Sequence, residues 1–371
     1  MARWWLITGA AGLVVGVVAA GTGVVIAAEK IAVGRQRLQP DPEAAEPLGE
    51  LRGRALTVLA DDGVPLHAEI NGPDDARVTV IFCHGYTLNQ DCWHYQRRDL
   101  GGIGRLVFWD QRGHGRSGRS GGTGRPGADH VGVDQLGADL HSVLAAVAPG
   151  KAPVVLVGHS MGGMAIMALA DQHPGLFGPK VIGVVLISTA ASGVDPTVWL
   201  PGPLRPVARQ VAGPMLRGVA KGRRAALVER SRQAAGDLAF LATKYVGFGD
   251  PLISPALVDF LERMIRATPV DVVAEFYLAL VGHDKRAALG VLGRVPVVVL
   301  AGDRDRLVPI ALTEWLAGEI PGAEFTRLPG AGHVVILERP AEVNEAITGL
   351  VARALAGGAA NGRSPRRQAS H

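Results

Sequence analysis

From residue 55 onward, short apolar runs rich in β-branched residues alternate with stretches whose apolar positions recur at helical spacing. ALTVLA (55–60), VPLHAEI (64–70), VTVIFC (78–83) and RLVFWD (105–110) read as strands; a helical stretch follows near 133–147. Then come the strand VVLVG (154–158), the helix former run MAIMALADQH (164–173) and the strand VIGVVLIS (181–188). Continuous rather than alternating apolar runs belong to strands covered on both faces, and strand–helix alternation builds a mostly parallel sheet with crossover helices on both sides. The pattern breaks over 189–290, which holds proline clusters and helical patches such as ALVERSRQAAGDLAFLATKYV (226–246) but no buried strand. It resumes with VPVVVLAG (295–302), PIALTEWLAGEI (309–320), EFTRLP (324–329) and PAEVNEAITGLVARAL (340–355). The expected architecture is an α/β core of 55–188 and 291–356, interrupted late in the sheet by a helical cap, 189–290. Such a cap sits over the C-terminal edge of the sheet, where open α/β folds place their sites.

Two ends lie outside this pattern. Residues Trp4 to Ala28 contain no charged side chain, and a helix of that length, roughly 37 Å at ~1.5 Å per residue, exceeds the ~30 Å hydrocarbon core of a bilayer. A membrane anchor over 1–30 is therefore expected. The rival is a cleaved signal segment, whose apolar region is shorter and whose small-residue sites here are only VVAA (17–20) and VIAA (25–28). Arg3 precedes the span while Lys30, Arg35 and Arg37 follow it, which inclines the α/β core toward the cytoplasmic side. LQPDPEAAEPLGE (38–50) has the proline and acid content of a linker, assigned to 31–54. At the other end, 357–371 reads as a disordered basic tail.

Composition changes this picture little. With 48% hydrophobic and 19% charged residues the chain can bury a sizeable core. The formal net charge of +4 sits partly in the tail, where no recognition motif or aromatic interleaving accompanies the arginines, so no nucleic-acid partner is expected. Residues 205–232 carry eight Lys or Arg against Glu229; they read first as a solvated helical face, and second as a surface for anionic lipid. Cys83 ends a predicted strand and Cys92 follows in a loop; two free thiols are expected. Neither HExxH, nor a CxxC pair, nor carboxylates at ligand spacing occur, so no metal or other cofactor is implied.

Candidate chemistry begins with GxSxG. In a chain with 50 Gly the pattern is weak alone, and it occurs twice. Around Ser120 it lies in RGHGRSGRSGGTGRPG, without an apolar run before it or helical periodicity after it, and reads as a loop. Around Ser160, in GHSMGG (158–163), a buried strand precedes and a helix follows. A serine at a strand-to-helix turn is pushed out of the sheet toward the positive end of a helix, which is where a nucleophile must stand. A serine hydroxyl is a poor nucleophile near neutral pH and needs a base, with a third group to orient that base. After strand VPVVVL, AGDRDRLVP offers Asp303 and Asp305 as carboxylates; GAGHVVILERP (330–340) offers His333 in a glycine loop at the same sheet edge.

Together, VIFCHGY (80–86), FWDQRGHGRS (108–117), GHSMGG (158–163) and GAGHVVILERP (330–340) resemble the motifs of the α/β-hydrolase superfamily over residues about 55–356, in that family's order of nucleophile, acid and histidine. The elbow is most similar to its serine esterase and monoacylglycerol-lipase branch. The resemblance implies catalysis by Ser160, Asp305 and His333, since the family places its acid three residues after the strand-ending glycine, Gly302. Asp303 is then a turn former. It implies an oxyanion hole made by the backbone N–H groups of Tyr86 and Met161, with His84 structural, His114 in a loop and His159 inside the elbow. Serine in place of aspartate excludes epoxide and haloalkane hydrolysis. The implied reaction is hydrolysis of a carboxylic ester, hydrophobic or lipid-like in view of the expected anchor. Peptidase, thioesterase or C–C hydrolase activity, or a non-catalytic receptor or scaffold, are the alternatives.

Overall fold

A computed structural model describes residues 38–120, 132–150, 152–193 and 236–361, with Gly34 and Gly218. Eight strands form one sheet: β1 (Arg54–Leu59), β2 (Pro65–Asn71), β3 (Thr79–Cys83), β4 (Arg105–Trp109), β5 (Val154–His159), β6 (Val181–Ile187), β7 (Val297–Gly302) and β8 (Glu324–Leu328). Their spatial order is β1-β2-β4-β3-β5-β6-β7-β8. β2 pairs antiparallel with both β1 and β4, whereas every pairing from β4 to β8 is parallel. All eight strands coincide with the runs named from the sequence.

The pleat divides each central strand between two cores. Ile81, Cys83, Leu156, Leu186 and Val299 belong to one cluster of buried residues. Their neighbours Val80, Phe82, Val157, Val185 and Leu300 belong to the other. Residues buried on both faces explain the unbroken apolar runs. Helices α1 (His94–Asp99), α2 (Val133–Val147) and α3 (Met161–Gln172) follow β3, β4 and β5. The predicted helix near 133–147 is α2, which buries Leu136, Leu140, Val143, Leu144 and Val147 along one stripe. Between β6 and β7 lie α4 (Gly236–Gly247), α5 (Pro255–Ala267), α6 (Val270–Val281) and α7 (Leu289–Leu292). After β7 and β8 come α8 (Ile310–Glu319), α9 (Val335–Glu338) and α10 (Pro340–Asn361). Leu316 and Ala317 of α8 join the α2/α3 cluster; Val343, Ile347, Leu350 and Val351 of α10 fill the opposite one. Helices thus cover both faces. Across the second face, the amide of Gln96 in α1 donates to Ile336 O at 3.3 Å and to Asn344 Oδ1 at 3.0 Å.

One expectation is corrected. The membrane-associated localisation does not stand: among the described residues no helix is long and apolar enough to cross a membrane. Residues 4–28, which carried that expectation and its cytoplasmic orientation, lie outside the described residues, as does the basic stretch 205–232 apart from Gly218. The apolar helices that are described spend their apolar faces on the protein itself. α6 buries Val272, Val273 and Phe276, and the longest, α10, is interrupted by Glu342, Glu345 and Arg353. Within the segment read as a linker, residues 38–50 make contacts with the core. Asp41 accepts hydrogen bonds from the Ser254 hydroxyl and from Ala256 N, Glu46 pairs with His94 Nε2 at 2.7 Å, and Leu48 packs on the core. Its acids serve as local acceptors, a use that composition alone does not reveal. Cys92 stands in a 3₁₀ turn, Gln90–Trp93, rather than a loop; both cysteines are buried and free. In addition, α10 runs to Asn361, past residue 356 where the core was expected to end, and 362–371 lie outside the described residues.

Candidate active site

The C-terminal ends of β3, β5, β7 and β8 bring the candidate residues to one edge of the sheet. β5 is buried throughout and ends at His159; α3 begins at Met161, and Ser160 between them has φ 51° and ψ −118°. Left-handed backbone is costly for a residue with a Cβ and persists only when its surroundings impose it. Here Ser160 N donates to Ile187 O at 2.9 Å, while Ser160 O accepts from Gly163 N at 2.9 Å and from Thr189 Oγ1 at 2.8 Å. Gly162 is demanded by close approach, because a Cβ there would stand 2.0 Å from Cys83 O. Gly85 likewise: its Cβ would meet His159 Nδ1 at 2.8 Å and Ser160 Cβ at 3.3 Å. The turn after β3 therefore lies directly against the elbow, and Ser160 itself remains partly accessible.

Asp305 and His333 meet. His333 Nδ1 lies 2.8 Å from Asp305 Oδ2, and both residues are buried. The other carboxylate oxygen, Asp305 Oδ1, accepts from Leu307 N at 2.8 Å and Val308 N at 2.9 Å. That fixes the carboxylate and turns His333 Nε2 away from it. The histidine loop is also tied to the elbow: the His159 ring, 5.0 Å from that of His333, hydrogen-bonds through Nε2 to His333 O at 3.0 Å. Asp303 instead accepts from Gly330 N at 2.8 Å in an exposed turn, the turn-forming place expected of it. Ser120 lies in a loop, its hydroxyl accepting from Arg112 Nη1 at 2.9 Å.

The remaining histidines of the site serve the main chain. His84 Nε2 accepts from Gln111 N at 2.9 Å and Nδ1 faces Gly85 O at 2.8 Å; His114 Nε2 accepts from Thr87 N at 3.2 Å. Burial pushes His84 down to about 4 and His114 and His159 down to about 3, so these rings are neutral. The Tyr86 hydroxyl donates to Val273 O of α6, binding the turn to the insertion. Burial, and then Tyr277, raises that phenol well above its ordinary value. Among the described residues neither Tyr86 N nor Met161 N donates to a protein acceptor, and Met161 N stands at the positive end of α3. Among the described residues no group of three or more His, Cys, Asp or Glu could hold a metal ion. One residue of this region escaped the sequence reading. Glu338, buried in α9, accepts Gly332 N at 2.7 Å and Asp250 N at 2.7 Å; the only signal was its place in GAGHVVILERP.

A buried strand, a strained serine, and an acid–histidine pair at the ends of later strands define an α/β hydrolase. The chain belongs to the alpha/beta hydrolase family, whose sequence profile matches residues 80–346. It is similar to the AB hydrolase superfamily protein YisY of Bacillus subtilis, 27% identical over 72% of this chain and 89% of that protein. Similarity extends to a monoacylglycerol lipase of Mycolicibacterium smegmatis, 27% identical over 74% of this chain and 88% of the relative. Among solved structures it resembles in fold a thermophilic esterase from Thermogutta terrifontis, with a TM-score of 0.62 at 24% identity, over 81% of this chain and 98% of that one.

Proposed function

We propose that this chain is a serine hydrolase that cleaves a hydrophobic carboxylic ester through an acyl-enzyme on Ser160. The observation that carries the proposal is the 2.8 Å Asp305–His333 pair, in a loop bonded through His159 to the elbow whose serine stands at φ 51°. In this reading Ser160 Oγ attacks the ester carbonyl while His333 Nε2 takes its proton. The oxyanion is received by Tyr86 N–H and Met161 N–H, and His333 returns the proton to the leaving alkoxide. Water, deprotonated by the same imidazole, then releases the acid and frees Ser160. Asp305 keeps Nδ1 protonated, so that Nε2 is the accepting nitrogen. Residues 189–290 act as a cap on a core of 55–188 and 291–356. Its α6 packs Val272 and Phe276 against the loop after β4. The monoacylglycerol lipases among the relatives support the same substrate class.

The test is covalent. An active-site-directed fluorophosphonate should label the protein, and Ser160→Ala should abolish both labelling and p-nitrophenyl ester hydrolysis. Ser120→Ala should stay within a few fold, because that hydroxyl only braces Arg112. Undiminished hydrolysis by Ser160→Ala overturns the proposal.

A further inference from the structure

Glu338 is 6% exposed, and its partners among the described residues are main-chain N–H groups. Oε1 accepts Asp250 N at 2.7 Å and Gly249 N at 3.1 Å; Oε2 accepts Gly332 N at 2.7 Å and Gly249 N at 3.2 Å. A buried carboxylate without a cation costs free energy unless hydrogen bonds compensate. Here they come from two segments far apart in sequence: the one joining α4 to α5, and the one leading into His333. Those segments touch along their main chains. A Cβ on Gly332 would stand 2.5 Å from Gly249 N, and one on Gly249 would stand 2.3 Å from Gly330 O. Val334 N adds a bond to Gly247 O at 2.9 Å. The acid loop grips the same segment from its own side. Arg304 Nη1 reaches Gly249 O at 3.2 Å, and Arg306 Nη1 reaches Tyr245 O at 2.6 Å and Phe248 O at 3.0 Å. Both residues that flank Asp305, and the residues on both sides of His333, are therefore fastened to 245–250.

We propose that Glu338 is a positioning residue, which through Gly332 and residues 249–250 of the insertion sets where the His333 imidazole stands. The proposal rests on His333 being the base. It makes the cap's inner segment part of the frame of the acid–base pair, so a displacement of the cap is transmitted to the base through main-chain hydrogen bonds.

Glu338→Gln tests it. An amide has one accepting oxygen, so either Gly332 N or the 249–250 pair loses its acceptor and faces an N–H₂. Fluorophosphonate titration run to completion counts the folded sites, and kcat is expressed per titrated site. It is expected to fall by about ten- to a hundredfold, the scale for a small misplacement of a catalytic group, with KM within about threefold. The Nδ1–H proton resonance of His333 should shift or broaden. Glu338→Asp keeps the charge but is too short to span both segments, and carries the same expectation should the glutamine variant not fold. Lys180→Met serves as the control: Lys180, at the opposite end of the sheet, donates to Ala148 O and Gly150 O, so its loss should lower the melting temperature and leave kcat per site unchanged. If Glu338→Gln only lowers the melting temperature, as the control does, the positioning role is overturned. If His333→Ala keeps turnover, the assignment of the base falls first, whatever the Glu338 variants do.

Discussion

Replacing Asp305 by Asn changes one atom, and the surroundings decide where that atom goes. Asp305 Oδ1 receives two backbone N–H groups, from Leu307 at 2.8 Å and Val308 at 2.9 Å, whereas among the described residues Oδ2 receives only His333 Nδ1 at 2.8 Å. An amide nitrogen cannot accept. In the Asn variant the oxygen therefore stays on the two N–H groups, and the NH₂ faces His333. The imidazole must then present Nδ1 as an acceptor and carry its proton on Nε2, the nitrogen that in the proposed mechanism takes the proton of Ser160. The wrong tautomer cost ~10⁴ in turnover in a serine protease, about 5.4 kcal/mol at ~1.36 kcal/mol per decade. A loss of that order is expected in kcat for p-nitrophenyl ester hydrolysis near pH 7, with KM little altered and the melting temperature measured alongside. Asp303→Asn should stay within a few fold, since the asparagine oxygen still accepts Gly330 N. A loss below about tenfold for Asp305→Asn, or a larger loss for Asp303→Asn, refutes the assignment of the acid.

Two further outcomes follow from the packing. Gly162→Ala would force a Cβ to 2.0 Å from Cys83 O, so denaturant unfolding should show a loss of about 3 kcal/mol, the upper end of the usual overpacking cost. Gly175→Ala, with nothing within 4 Å, should stay within ~0.5 kcal/mol, and equal midpoints for the two would contradict the close approach of elbow and β3. Stability should also fall with acid. His84, His114 and His159 titrate near 6.5 when unfolded but at about 4, 3 and 3 when buried, so between pH 6.5 and about 4 the unfolded chain binds more protons. Stability is then lost as pH falls through that window, by roughly 2 kcal/mol per ring at pH 5. A melting temperature flat from pH 7.5 to 5 would show that these rings are not buried neutral.

The strands were legible because burial on both faces leaves a chemical trace: TVIFC, VVLVGH and VVVLAG hold almost nothing polar. That Asp305 rather than Asp303 meets His333 was legible only through family resemblance, for both stand in one loop, and what separates them is which carboxylate reaches a histidine in a loop 28 positions away. Glu338 was not legible. Its partners are main-chain N–H groups, which every sequence possesses, and two of them are brought from 88 and 89 positions away. The docking of 38–50 was hidden for a related reason: proline and acid content describes a solvated linker as well as a strap whose acids find donors such as Ser254 and His94. The membrane expectation failed differently, since it rested on residues 4–28, for which the described residues offer no counterpart.

The bonds from Gln96 to Ile336 and Asn344 span 240 and 248 positions, and they bear on how the molecule is made. Contacts of such separation carry a large loop-closure cost and form late. Chains emerge from the ribosome N-terminus first, at about 5–20 residues per second. Ser160 is therefore synthesised well before Asp305 and His333 exist, and the closing helix, α10, is the last described element to leave the exit tunnel. A nascent chain halted before Pro340 carries Ser160, Asp305 and His333, the residues of the proposed mechanism, yet lacks the helix that closes the second core. Activity in a translation reaction stalled at successive lengths should thus switch on only after residues of α10 are released, as a step rather than a ramp.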